Sequence, residues 1–205
     1  MGYTTPTTRV PDEFMEAADL NTDYVDNIIY LHDLPKKLKP ALVRWVLPGW
    51  WAYISYNIAI TAGRIYYIPI FVSETTTYIR IGVWVGTISA GTADLRIFAW
   101  NDGVPGALLL DAGTVDTGIL GAREQTISHQ LAQGFYFLAF RCTGTPSLAG
   151  IDGTYGVKPP VAGFETSMGV PAGIIPFVDA VYANPAPAPT NVAAVTFACV
   201  RLREN

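Results

Sequence analysis

Between Tyr78 and Phe140, apolar and polar residues alternate along short segments that are separated by glycine-containing turns. Successive side chains of a β-strand point to opposite faces, so alternation of this kind predicts strands with one face in a core. In the segment 78–87 the predicted core face is formed by Ile79, Ile81, Val83 and Val85. In the segment 94–100 it is formed by Leu95, Ile97 and Ala99. This regularity limits the chain to folds built mainly from β-sheets.

Segments of this kind predict a mainly β protein whose principal domain is an antiparallel β-sandwich of jelly-roll-like type. The predicted strands are 58–60, 64–72, 78–87, 94–100, 107–111, 125–131, 135–142 and 194–202. The sandwich is predicted to occupy residues 41–205. Within it, a loop rich in proline and glycine over 143–192 is expected to lead to the closing strand.

The first 40 residues have a different pattern, which predicts an arm and a short helix ahead of the sandwich. The first ten residues are rich in threonine and show no periodicity. Asp19 can then cap a helix whose apolar residues recur at spacings of four, four and three. These residues are Leu20, Tyr24, Ile28 and Leu31. An isolated helix of this length is only marginally stable in water. We therefore expect its apolar stripe to pack on the sandwich or on copies of itself around a symmetry axis.

The composition of the chain indicates which kinds of binding partner to expect. Half of the residues are hydrophobic and only 15% are charged, which leaves little polar surface and favours contact with another chain. The net charge of −4 gives no basic field, so nucleic acid is not expected as a partner. No uninterrupted apolar run reaches the roughly 18 residues of a membrane-spanning helix, so membrane insertion is not expected.

Residues able to carry out catalysis are few and scattered. His32 and His129 lie far apart in the sequence, and neither has other metal ligands at a suitable spacing. Ser128 and His129 are neighbours on a predicted strand and should point to opposite faces, which prevents a nucleophile–base pair. Four aspartates lie near turns, where such side chains commonly accept backbone hydrogen bonds: Asp94, Asp102, Asp111 and Asp116. We therefore expect no enzyme activity, metal or cofactor, although a pair of glycosidase carboxylates from distant strands stays open.

Both cysteines of the chain, Cys142 and Cys199, fall on predicted strands. The first residues show neither the basic nor the apolar part of a secretory signal. Buried reduced thiols are therefore expected, with a disulfide as the alternative.

The predicted outer face of two strands is unusually apolar. If the strands 78–87 and 94–100 pair around the turn between them, Trp84 lies opposite Arg96 and Arg80 lies opposite Trp100. Such a pairing would give two cation–π contacts, and Phe98 would face Gly82 on the same surface. A surface of this kind is too apolar to be simply solvated. We interpret it as an interface covered by another subunit; the alternatives are cover by a strand or loop of the same chain, or a flat aromatic platform for sugars.

A group of tryptophans precedes the first predicted strand. Trp45, Trp50 and Trp51 lie around the turn formed by Pro48 and Gly49. Large amphipathic rings at such a turn are expected to close one end of the core, with a ligand platform as the alternative.

Several segments together resemble a known group of proteins. Residues 16–21 (EAADLN) resemble the start of a helix near the N-terminus of many bacteriophage tail-fibre and baseplate-appendage proteins. The segments that resemble the β-sandwich of phage tail-appendage proteins are 80–83, 90–97, 103–108, 111–115 and 134–139. Each motif is weak alone, because it consists largely of turn and strand patterns, but the order and spacing of the segments are more specific.

The resemblance implies a virion structural protein, assembled in the host cytoplasm and homotrimeric. Its N-terminal part would attach to the particle, and the sandwich would face outward for host recognition. The implied partners are copies of the chain, other phage tail or head proteins and a host cell-surface glycan. The chain lacks the long shaft of a typical receptor-binding fibre, so a head decoration or cement protein is an alternative. A stand-alone carbohydrate-binding module is another.

Overall fold

The structure is a computed structural model, and it describes residues 45–46, 53–152, 175–193 and 196–204. The predicted arm and helix, with the stripe of Leu20, Tyr24, Ile28 and Leu31, lie outside these residues. Trp50 and Trp51 also lie outside them. The described part of the chain is mainly β and contains no helix.

The described strands follow one another from Trp45 to Glu204. In chain order they are β1 (Trp45–Val46), β2 (Tyr53–Ala59), β3 (Arg64–Val72), β4 (Thr76–Thr87), β5 (Thr92–Asn101), β6 (Val104–Asp116), β7 (Gly121–Leu131), β8 (Gly134–Cys142), β9 (Ser147–Asp152), β10 (Ile175–Asp179), β11 (Asn191–Ala193), β12 (Thr196–Ala198) and β13 (Arg201–Glu204).

These strands form two antiparallel sheets. In the first sheet, β4 pairs with β7 along one side and with β13 and β9 along the other. Strand β1 pairs with β13, and both β2 and β12 pair with β9. The second sheet has the order β11-β10-β3-β8-β5-β6. The expectation of a mainly β chain built from antiparallel sheets is confirmed.

Both sheets contribute to one hydrophobic cluster, which defines the inner face of each sheet. The first sheet contributes fully or almost fully buried side chains such as Ile81 and Leu202. The second sheet contributes Leu95 and Leu138 in the same way. The outer face of each sheet is the one that points away from this cluster. Burying aliphatic side chains at about 1.5–3 kcal/mol each makes this cluster the main source of stability for the two sheets.

The alternation pattern located most strands closely, because each of them has one face in the shared cluster. Strand β3 has the predicted bounds, and β4, β5 and β8 extend the predicted segments by a few residues. The turn between β5 and β6 is the tight hairpin that its sequence indicates, with positive φ at both Asp102 and Gly103. The predicted closing strand is divided into β12 and β13, which pair with different neighbours.

Two details of the predicted strands were wrong. The predicted loop over 143–192 contains β9 and β10, and β11 begins near its end. Ile79 was expected in the core, but the register of β4 shifts between Tyr78 and Arg80. A β-bulge of this kind inverts the alternation locally, so Tyr78 is buried and Ile79 is only half-buried.

The predicted pairing of the strands 78–87 and 94–100 was also wrong. Strand β4 belongs to the first sheet, whereas β5 lies in the second sheet between β6 and β8. The chain crosses from one sheet to the other in the turn after β4. Trp84 therefore does not lie opposite Arg96, and Arg80 does not lie opposite Trp100.

Candidate functional site

The five residues predicted to form one interface or ligand face are divided between two outer faces. Arg80 and Trp84 lie on β4 and point away from the core of the first sheet. Arg96, Phe98 and Trp100 lie on β5 in the second sheet. The two groups are on opposite sides of the shared cluster, so each outer face has to be considered separately.

The outer face of the second sheet carries a second hydrophobic cluster. Tyr67, Phe98 and Phe137 are fully buried there, although they point away from the shared core. The ring of Tyr67 meets that of Phe98 edge-on, with centroids 5.8 Å apart. Trp100 stacks on Phe137 with centroids 4.9 Å apart and nearly parallel planes. Full burial of these rings requires a covering layer outside the sheet.

That layer is residues 180–190, which follow β10 and are called the strap here. Ala180, Tyr182 and Ala186 pack against the outer aromatic cluster. The ring of Tyr182 lies 5.9 Å from that of Phe98. A segment of the same chain thus covers the part of the predicted interface that lies on β5.

Hydrogen bonds hold the strap at several points across the second sheet. The hydroxyl of Tyr67 donates to the carbonyl of Pro187 at 3.0 Å. The hydroxyl of Tyr182 donates to the carbonyl of Asp94 at 3.2 Å. At the far side of the sheet, the amide of Ala186 donates to the carbonyl of Gly106 at 3.1 Å. Buried phenol groups with partners of this kind fix the strap in one position.

Charged residues secure the strap and the strand that leads into it. Arg96 forms ion pairs with Asp94 and Asp111, and its guanidinium lies 4.2 Å from the centre of the Tyr182 ring.

A second charged pair lies where β10 leads into the strap. Arg64 donates two hydrogen bonds to the carboxylate of Asp179, at 2.7 and 3.1 Å. These hydrogen bonds lower the pKa of Asp179 and raise that of Arg64. Burial raises the pKa of Tyr182 well above its ordinary value, with a further contribution from Asp94.

The outer face of the first sheet is different, because it carries a groove, called the Trp84 groove here. Its volume is about 120 Å³. Its lining is Trp45, Gly82, Val83, Trp84, Ala122, Glu124 and Arg201. Trp84 is 40% exposed there.

The strand register explains the shape of the groove. Gly82 lies in the middle of β4, between Glu124 on β7 and Arg201 on β13. Gly82 is buried, and a Cβ atom at this position would lie only 2.6 Å from the carbonyl oxygen of Arg123, so β7 approaches β4 closely here. Trp84, two residues along β4 on the same face, lies opposite the small Ala122. The groove thus lies beside Gly82 and Ala122 and is bordered by the larger side chains of Trp84, Glu124 and Arg201.

The groove combines an aromatic ring with charged groups. The Nε atom of Arg80 lies 3.9 Å from the Oε2 atom of Glu124, a long separation for an ion pair. The Nε atom of Arg201 is buried, with no hydrogen-bond partner among the described residues. Such a site can bind a ligand by ring stacking and by hydrogen bonds from guanidinium groups.

The aspartates considered for catalysis have structural partners. Asp94 and Asp111 pair with Arg96, and Asp111 also accepts the amide of Gly113. The carboxylate of Asp116 accepts the amide of Gly118. Asp102 occupies the hairpin turn between β5 and β6. The expectation that Asp111 and Asp116 accept backbone hydrogen bonds is confirmed, although Asp111 lies within β6 at a register shift and only Asp116 lies at the end of that strand.

The remaining reactive groups can be placed only in part. His129 lies on β7, opposite Tyr78 of β4, and His32 is outside the described residues. Cys142 and Cys199 are both buried thiols, as expected, and burial raises the pKa of Cys142 to about 12. Among the residues that the structure describes, no three metal-binding side chains lie together.

Sequence reasoning missed Glu124 and Arg201 of the groove, and Tyr67 and Tyr182 of the strap contact. Trp45, one of the three tryptophans expected either to close one end of the core or to form a ligand platform, lines the groove. The signal that could have drawn attention to the groove is Gly82, a glycine within an otherwise strong strand pattern.

Comparison with known proteins assigns no family. The chain matches no protein-family model and no curated protein sequence. In the described residues, no helix has the length and apolar character needed to cross a membrane. The function must therefore be inferred from the residues of the chain itself.

Proposed function

We propose that the protein is a structural component of a bacteriophage particle, a tail-fibre or baseplate appendage that recognises the host surface. In this proposal its two sheets form a jelly-roll-like β-sandwich, and the N-terminal region attaches the protein to the particle. The protein acts as a homotrimer and binds other tail or head proteins. It has no catalytic residue and needs no cofactor.

The Trp84 groove is the observation that carries the recognition part of this proposal. It lies on a sheet whose backbone is held by hydrogen bonds on both sides of β4. A rigid surface of this kind loses little conformational freedom when a ligand binds. Its exposed tryptophan is typical of binding surfaces, because a large amphipathic ring contributes contact area at low entropic cost.

The assembly part of the proposal rests on the sequence. The segments that resemble phage appendage proteins are distributed between residue 16 and residue 139. The helix stripe of Leu20, Tyr24, Ile28 and Leu31 would pack near the threefold axis. Composition supports an assembled state, since half of the residues are hydrophobic and few are charged.

A second candidate function is a stand-alone carbohydrate-binding module. The exposed ring of Trp84 beside Arg201 and Glu124 favours it, because these groups suit the apolar face and the hydroxyls of a sugar. The two candidates differ in assembly. A module acts as a monomer, whereas a tail appendage is an oligomer bound to a particle.

Sedimentation equilibrium of the full chain separates the two candidates. The appendage proposal predicts a mass three times the 22.2 kDa of one chain. The double substitution Leu20→Asp and Ile28→Asp should convert this trimer to a monomer while the β-sheet circular dichroism is unchanged. A wild-type monomer would contradict the appendage proposal and favour the module. Detection of the chain by mass spectrometry in purified phage particles would then test its location.

A further inference from the structure

The outer face of the first sheet concentrates positive charge around the Trp84 groove. Strand pairing places Arg80 directly opposite Arg203, and Arg201 directly opposite Gly82. All three arginines are on the outer face, because Ile81 and Leu202 between them point into the shared core. Three guanidinium groups thus gather on one surface of a chain whose net charge is −4.

Acidic residues near these three arginines are fewer in number, namely Glu124 and Glu204. Glu124 lies across Gly82 from Arg201, and its Oε2 atom is 3.9 Å from the Nε atom of Arg80. Glu204 follows Arg203 past a register shift and lies opposite Tyr78. Like charges directly opposite each other on a sheet are unfavourable, and a bound anion would relieve that cost.

Two arginines of the described residues, Arg123 and Arg201, have a buried Nε donor without an acceptor, and of these two only Arg201 lines the Trp84 groove. The Nε atom of Arg201 is buried and has no hydrogen-bond partner among the described residues. Arg201 lines the groove and is only partly buried, so its accessible guanidinium atoms can donate hydrogen bonds to a ligand there. Arginine also donates in a planar fork that fits a carboxylate with two parallel hydrogen bonds.

The aromatic part of the groove restricts the class of anion. Trp84 and Trp45 border the groove beside Arg201. The flat side of a sugar ring stacks on such rings, whereas a simple inorganic anion gains nothing from them. The groove volume of about 120 Å³ is well below that of a pocket that encloses a drug-sized ligand. One sugar ring of a longer chain fits this size, with the rest of the chain lying across the sheet.

We infer that the Trp84 groove binds an acidic saccharide, with a carboxylate held by Arg201 and its sugar ring stacked on Trp84. This inference rests on the proposed function, since it names the ligand class of the proposed recognition surface. An acidic peptide would use the arginines but would lack a ring to stack.

Calorimetric titration of the full chain with three probes of similar length tests the ligand class. The probes are oligogalacturonate, the neutral maltooligosaccharide and polyglutamate. We expect oligogalacturonate to bind at least about tenfold more tightly than either of the others, because only it offers both carboxylates and sugar rings. Its affinity should fall as salt rises. Equal binding of the neutral sugar, tighter binding of polyglutamate or no binding of oligogalacturonate would overturn the inference.

Substitutions locate the site. Arg201→Gln and Trp84→Ala should each weaken oligogalacturonate binding by about tenfold. Arg123→Gln is the matched control, because it removes the same charge from the neighbouring strand β7 at a residue outside the lining of the groove. The control should change the affinity by less than about twofold. Arg203→Gln offers a second test if Arg201→Gln does not fold, and an unchanged affinity in the folded variants would overturn the inference.

Failure of this inference and failure of the proposed function give different results. A trimer found in phage particles that does not bind oligogalacturonate would retain the appendage proposal and remove the ligand class. A monomer that binds oligogalacturonate through Arg201 would retain the ligand class and remove the appendage proposal.

Discussion

The two outer faces of this protein start from similar residues and end in different environments. Each face has a tryptophan and at least one arginine on a central region of its sheet, Trp84 with Arg80 on the first and Trp100 with Arg96 on the second. On the second sheet the strap covers the rings, and Arg96 pairs with Asp94 and Asp111. On the first sheet Trp84 is 40% exposed beside a groove.

This difference shows that side-chain type alone does not define a binding surface. On the second sheet, aromatic rings and Arg96 stabilise the fold, because the strap covers the rings and two aspartates form ion pairs with Arg96. On the first sheet the same types of residue lie beside a groove, where the tryptophan is partly exposed. The comparison leads to predictions about stability on the strap side and about accessibility on the groove side.

The largest effect is expected for truncation beneath the strap. Phe98 is fully buried, so Phe98→Ala should lower the free energy of unfolding by about 3–5 kcal/mol through lost contacts and a cavity. Trp84→Ala is the matched truncation on the other outer face and should cost at most about 2 kcal/mol, because much of that ring remains exposed. Chemical denaturation of both variants measures the difference. Equal losses would contradict the proposed contrast between the two faces.

An intermediate effect is expected when the strap itself loses its anchor. Tyr182→Ala removes the ring contact with Phe98, the cation–π contact with Arg96 and the hydrogen bond to Asp94. We expect a loss of about 2–3 kcal/mol and faster hydrogen exchange at the amide of Ala186, which donates to Gly106. The control Tyr182→Phe keeps the ring and should cost only about 1 kcal/mol. Unchanged exchange at Ala186 in Tyr182→Ala would show that the strap is held by other contacts.

The smallest effect is a pH dependence at the start of the strap. The hydrogen bonds from Arg64 lower the pKa of Asp179, so folding favours the ionised carboxylate. This contribution is fully present above the ordinary aspartate pKa of about 3.9, and it is lost as the pH falls through the lower folded value. Asp179 is exposed on the surface, so the contribution is small.

Asp179→Asn provides the test of that pH dependence. The variant should unfold at a slightly lower temperature than the wild type at pH 7, and the difference should disappear near pH 2. A difference that stayed constant over this range would show that the ion pair does not stabilise the strap region.

Much of the fold could be predicted from local sequence because alternation reports which residues of a strand share a face. It located β3 within its observed bounds and placed Leu95 and Ile97 in the core. It failed at Ile79, where a bulge inverts the alternation without a local signal. It also missed β9 and β10 in a region whose many prolines and glycines indicate loop structure.

The sequence identified individual residues of the candidate site, but it did not show that they lie together. Alternation identified Trp84 and Arg80 as outward-facing, but it does not show which strand lies beside another. The pairing of Gly82 with Arg201 joins residues more than a hundred positions apart in the sequence, and the strap reaches Tyr67 over a similar separation. Such contacts depend on how the whole chain packs, so the groove and the strap emerged only from the structure.

Hydroxyl-radical footprinting of the full chain, read by mass spectrometry, tests the contrast between the two outer faces most directly. Trp84 and Trp100 have the same intrinsic reactivity and serve as each other's control in one molecule. We predict that Trp84 is oxidised several times faster than Trp100, and that Tyr67 and Phe98 beneath the strap stay protected. Oxidation of Trp100 and Phe98 as fast as that of Trp84, or protection of Trp84, would contradict the account.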